Sequence, residues 1–217
     1  MNASLPGAKR RSNLAILALS LLISACSYTV PLQSPLGQVP LVEKAPISVA
    51  IHYAEELRNH KCTVSKGYIA ESWPLELGPP SIEMFGRIFS ALFDKVIPPD
   101  SGFKIQAAAG QHPLIELRLL EFDGCEASWP IFGTSIEVAY EATLRSTEGV
   151  LIALWQGRGR AGPGDDLSGY KEVVLMDIFG LEARYLGAVT SLAMRKAAAD
   201  FIINYDKNLG IRAWLGR

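Results

Sequence analysis

Cysteine and histidine are scarce in this 217-residue chain, with three of each. None of His52, His60 and His112 pairs with a cysteine, an aspartate or another histidine at ligand spacing, so the pattern predicts no metal centre. No Gly-x-Ser-x-Gly elbow occurs. The glycines of 157–164 are not followed by Gly-Lys-Ser/Thr, so they make no phosphate-binding loop. The alternating Asp/Asn pattern of a calcium loop is missing as well. Nothing in the sequence calls for a cofactor. Nor does charge of one sign dominate: 21 Lys and Arg stand against 22 Asp and Glu. Beyond Arg11 there is no basic run, which argues against nucleic acid as a partner.

Long apolar runs are lacking too, and the one that exists is informative. Lys9, Arg10 and Arg11 form a basic stretch without a neighbouring acid, and Leu14 to Ile23 follow as an apolar run. That run is half the roughly 20 residues a bilayer-spanning helix needs, so it reads as the core of an export signal. Ile23-Ser24-Ala25-Cys26 then reads as a lipobox. The small Ser24 and Ala25 admit a signal peptidase, and the Cys26 thiol accepts a diacylglycerol. Residues 1–25 are expected to be removed, leaving a lipidated chain that is mildly acidic. Buried acyl chains contribute roughly 0.8 kcal/mol per CH₂, and more than one chain gives stable attachment.

Residues 26–46 contain Pro31, Pro35, Pro40 and Pro46 with few charges, and are expected to form a lipidated tether reaching a few nanometres. Residues 47–217 are the length of one ordinary periplasm-facing domain. In an oxidising compartment Cys62 and Cys125 suggest a disulfide closing a loop of about 60 residues. Two unpaired buried thiols are the alternative.

Ile47 to Tyr53 alternates apolar and polar residues as a half-buried strand does. Glu55 to Asn59 reads as a turn, and Cys62 to Leu77 as one or two strands broken near Gly67. Gly78-Pro79-Pro80-Ser81 is a helix start with Ser81 as its cap. From there Ile82, Phe85, Ile88, Phe89, Leu92, Phe93 and Val96 follow a helical stripe, ended by Pro98-Pro99. Leu114 to Asp123 is strand-like. Ser135 to Arg145 and Val150 to Gln156 form a hairpin about Thr147-Glu148-Gly149. Gly157 to Gly169 reads as a mobile connection, and a long helix runs from Leu181 towards Asn204, followed by a short turn around Trp214. The expected architecture is α+β: an antiparallel sheet with two amphipathic helices on one face.

Two candidate surfaces arise from this pattern. The stripe Phe85, Phe89, Leu92 and Phe93 is either core or a groove for a lipid chain or partner. Asp165, Asp166 and Ser168, with Asp177 and Glu182 further on, are the only residues that suggest a weak hydrolase or a sugar-binding domain.

Taken together, Ile23–Ser27, Val49–Tyr53, Ser81–Val96, the Thr147-Glu148-Gly149 hairpin and Met194–Tyr205 resemble small Gram-negative envelope lipoproteins. The similar groups are the YajG-type, the ABC-transport auxiliary and the LPS-assembly lipoproteins. The resemblance implies three acyl chains on Cys26, a diacylglycerol and a palmitate-type third. It also implies an α+β domain that is an accessory in envelope assembly or lipid transport, with an envelope protein or lipid as partner; it does not imply an enzyme, and with no catalytic set in the sequence none is expected. Ser27, where an Asp favours the inner membrane in such proteins, points to the outer membrane, facing the periplasm. A purely structural lipoprotein is the remaining alternative.

Overall fold

A computed structural model describes residues 30, 32, 43–65, 72–97, 111–126, 133–167 and 181–217. The lipobox, Cys26, most of the expected tether, Trp129, Ser168 and Asp177 lie outside the described residues. The elements in chain order are β1 (Ala45–Tyr53), α1 (Glu55–Arg58), β2 (Lys61–Ser65), β3 (Ser72–Glu76), α2 (Gly78–Leu92), β4 (Phe93–Ile97) and β5 (Leu114–Phe122). After a short 3₁₀ turn at Gly124–Glu126 come β6 (Ile136–Arg145), β7 (Leu151–Ala161), α3 (Leu181–Lys207) and α4 (Leu209–Leu215). The segment read as a turn after β1 is thus one turn of helix, α1.

The class is α+β, but the sheet is mixed and not antiparallel. Its order is β4-β1-β5-β6-β7, and β2 and β3 pair apart from it as a two-stranded hairpin. β1 runs parallel to both β4 and β5, while β5, β6 and β7 alternate in direction. The β1–β4 pair follows from its connection: a strand that returns to its neighbour through a helix comes back in the same direction. That return strand, β4, is the part the sequence pattern hides. The helical stripe from Phe89 carries on in register through Phe93 to Val96. The backbone nevertheless turns extended at Phe93 (φ −124°, ψ 147°), and Val96 pairs with Val49.

Both long helices cover one face of the sheet. Phe85 of α2 packs edge-on to Tyr140 of β6 at 4.7 Å and to Phe201 of α3 at 4.9 Å. Phe201 in turn lies 5.3 Å from Trp155 of β7. Phe85, Phe89, Leu92 and Phe93 are at most 1% exposed, so the stripe proposed as a groove is the centre of the core. Burying each such ring contributes roughly 1.5–3 kcal/mol, and the sheet and α3 use the whole stripe. Ser81 also departs from expectation. Leu77 is the N-cap, without a side-chain bond, and Pro79 and Pro80 fill the first turn, where a missing N–H costs nothing. Ser81 Oγ lies instead 2.8 Å from the Tyr140 hydroxyl in the core. Burial pushes that phenol's pKa up, so it stays neutral.

The glycine-rich segment is not a loop at its start. β7 continues to Ala161, because Gly157 and Gly159 lie under α3. A Cβ on Gly159 would stand 2.1 Å from the Ala193 carbonyl oxygen and 2.2 Å from the Ala197 nitrogen. Glycine is the residue that lets a helix backbone come this close to a strand. The outer edge of β7 is then closed by side chains. Asp200 accepts from the Arg158 N–H at 3.0 Å, Asn204 donates to the Gln156 carbonyl at 2.9 Å, and Asn208 donates to the Leu154 carbonyl at 2.9 Å. These groups occupy the ladder that an edge strand otherwise offers to other chains.

Candidate functional site

The face of the sheet away from α2 and α3 is lined by the alternate residues of β5, β6 and β7. Strand register sets Arg118 opposite Glu141 and Glu141 opposite Gln156, in one row across three strands. Arg118 Nε donates to Glu141 Oε1 at 2.8 Å and Gln156 Nε2 donates to Oε2 at 2.7 Å. The Glu141 side chain is 5% exposed and Arg118 is 55% exposed, so the carboxylate is sunk and its guanidinium lies over it. Both carboxylate oxygens are satisfied, as a buried charge requires. A second group is more open: Arg158 reaches Glu121 at 2.7 Å and Glu137 at 3.4 Å. The hydrogen bond that Arg158 donates to Glu121 raises the Arg158 pKa above its ordinary value. Such exposed pairs add little stability. They leave this face charged but internally matched.

Around the start of β7 the chemistry changes. Val150 and Leu151, at the start of β7, are 61% and 51% exposed, and Leu154 is 46% exposed. Leu209 is 78% exposed and follows Asn208, whose amide bonds the Leu154 carbonyl. Asn208 also accepts from the Ile211 N–H at 3.2 Å as the cap of α4, which fixes Leu209 at this corner. Four large aliphatic side chains thus stand exposed on or beside the start of β7, and together they are the candidate contact surface. Sequence reading passed over them because each falls on a strand or helix where an apolar residue looks like core.

The residues singled out in the sequence are scattered. Cys62 and Cys125 form a disulfide with Cα atoms 5.6 Å apart, which ties β2 to the 3₁₀ turn after β5. His60 lies edge-on to Phe122 at 5.4 Å, and its Nε2 is 3.9 Å from Cys125 Sγ. Burial lowers the His60 pKa. Beside it is a depression of about 310 Å³ lined by Arg58, His60, Lys61 and Glu76. A wider, open one of about 510 Å³ lies along α2, by Lys44, Ile82, Gly86 and Ser90. No three His, Cys, Asp or Glu among the described residues gather at a point that suits a metal ion. No helix among them is long and apolar enough to cross a membrane.

Asp165, the acid closest to the hydrolase reading, is occupied. Its Oδ1 accepts from Lys196 Nζ at 2.6 Å, and its Oδ2 accepts from the Gly162 N–H at 2.9 Å. The Lys196 hydrogen bond first, and the Gly162 amide second, hold its pKa below the usual carboxylate value. A depressed acid contributes stability at pH above its unfolded value and loses it as pH falls through the folded one. The Asp165 side chain is therefore expected to titrate below an ordinary aspartate when followed by NMR. Lys196→Ala should move that midpoint upwards, and an unmoved midpoint would show that the clamp is not formed.

No family model matches the sequence, and no curated protein matches it. Among solved structures the chain is similar to protein XCC0632 from Xanthomonas campestris, described under the family model DUF330. That likeness has 13% identity and a TM-score of 0.40, over 84% of this chain and 98% of that one. It is also similar to the hypothetical protein CT253 from Chlamydia trachomatis, with 12% identity and a TM-score of 0.40, over 74% and 97% of the two chains. Likeness this distant carries neither residues nor activity across.

Proposed function

We propose that this chain is a lipid-anchored envelope protein, held to the outer membrane through Cys26, with a periplasm-facing domain that is an accessory to envelope assembly or lipid transport and not an enzyme. The observation that carries the reading is the run of basic residues, apolar core and Ile23-Ser24-Ala25-Cys26 at the N-terminus. The domain offers a contact surface: the aliphatic corner of Val150, Leu151, Leu154 and Leu209, bordered by the matched charges of the open sheet face. A lipid or envelope protein with a small apolar face framed by polar groups suits that surface. The hydrolase alternative draws no support from Asp165, whose oxygens are engaged by Lys196 and Gly162.

The test is photo-crosslinking in intact cells from a probe placed at Leu151, in the wild type and in a Leu154→Asp/Leu209→Asp variant. The expected result is a discrete envelope protein or lipid adduct in the wild type that the variant loses, with the urea unfolding midpoint unchanged. An identical adduct pattern in both, or none above background, would count against this surface as the point of contact.

A further inference from the structure

The residues just after the lipidation cysteine are not all free of the domain. Val30 is 3% exposed and belongs to the core cluster, and its N–H donates to the Pro74 carbonyl of β3 at 3.1 Å. Leu32 packs against the same cluster. Only Ser27, Tyr28 and Thr29 separate Cys26 from Val30. Whatever their conformation, four steps of chain span at most roughly 14 Å. The proline-rich segment therefore does not set the distance between membrane and domain, because the chain has already docked before most of it begins.

Strand directions show which end is docked. β1 and β5 finish at Tyr53 and Phe122, β6 starts at Ile136, and β7 finishes opposite it at Ala161. The β2–β3 hairpin belongs to this end, bound to it by the disulfide three residues beyond Phe122 and by the His60–Phe122 contact. The start of β1 and the Thr147-Glu148-Gly149 turn belong to the other end. The ten residues of β6 separate the two ends by about 30 Å. Glu43 precedes β1 and lies 3.4 Å from Arg217 at that far end.

We infer that the β2–β3 hairpin is the membrane-proximal surface of the domain, held against the bilayer by a tether of three residues, and that the β6–β7 turn and the aliphatic corner point away from it. The inference rests on the lipid-anchor reading of Cys26. It goes beyond that reading in assigning the host bilayer to one end of the fold and leaving the Leu154–Leu209 corner to a partner in the periplasm.

The experiment uses the full lipidated protein in phosphatidylethanolamine/phosphatidylglycerol vesicles that carry a headgroup quencher. A genetically encoded fluorophore replaces Thr63, which pairs with Pro74, or Glu148 in the far turn; both positions are exposed. The Thr63 probe should be quenched several-fold more than the Glu148 probe. A flexible 20-residue Gly-Ser insertion between Thr29 and Val30 should bring the Thr63 value down towards that of Glu148. Equal quenching at the two positions in an acylated protein, or an insertion without effect, overturns the placement alone. A Cys26 that carries no acyl mass overturns the lipid-anchor reading and the placement with it.

Discussion

Gly159→Ala is expected to cost about 3 kcal/mol of folding free energy, at the upper end of what one added methyl does in a packed interior. The added Cβ would meet the Ala193 carbonyl oxygen at 2.1 Å and the Ala197 nitrogen at 2.2 Å, both backbone atoms of α3. No side-chain rotation relieves that contact, so α3 must lift from β7 along its length. Small domains are stable by only 5–15 kcal/mol, so the loss is a large part of the total. Gly86→Ala is the control. Its Cβ would find only the Tyr53 hydroxyl, at an ordinary 3.7 Å, inside a helix where alanine is better by roughly 0.5–1 kcal/mol. Urea unfolding should therefore move the two variants in opposite directions. A Gly159→Ala protein within about 0.5 kcal/mol of wild type, the usual scatter of harmless surface changes, would mean that α3 does not lie on β7 as described.

Replacing Cys62 and Cys125 together by serine should cost about 4 kcal/mol, the chain-entropy value for releasing a loop of this size. The two residues are 63 apart in sequence, and the loop they close contains β2, β3, α2, β4 and β5. The hairpin should loosen first. Beyond the bridge it is held by Val64, Trp73 and Leu75 against the core and by the bonds from Leu77 and Gly78 to the His60 carbonyl. Hydrogen exchange should show early loss of protection at β2 and β3 while β6 and β7 stay protected. Urea midpoints that coincide with and without reductant would contradict the stapling role.

How much of this was legible in the sequence differs by element. β1 and the β6–β7 hairpin follow from period-two alternation, and α3 from its spaced apolar residues. β4 was not legible, because Phe93 and Val96 continue the helical period of α2, and only the pairing with β1 shows that the backbone is extended there. The composition of Gly157-Arg158-Gly159-Arg160 suggests a loop. The informative signal was its own alternation, glycine towards a helix and arginine towards water, and it becomes visible only once a partner helix is known. The contact surface was the least legible part. Exposure of Leu154 and Leu209 depends on how α4 turns back over β7, a long-range fact that no local pattern reports. Docking of Val30 was hidden for the same reason, inside a stretch whose prolines suggest a free stalk.

The proposed lipid on Cys26 can be tested most directly by comparing wild type with Cys26→Ser after separating membranes from soluble periplasm, with intact masses taken for both. The expected wild-type protein begins at residue 26, carries acyl mass and sediments with the outer membrane, while Cys26→Ser keeps its leader and gains no lipid. A Cys26→Ser chain that is trimmed to the mature length and still sediments with the outer membrane would mean that something other than this thioether holds the domain there.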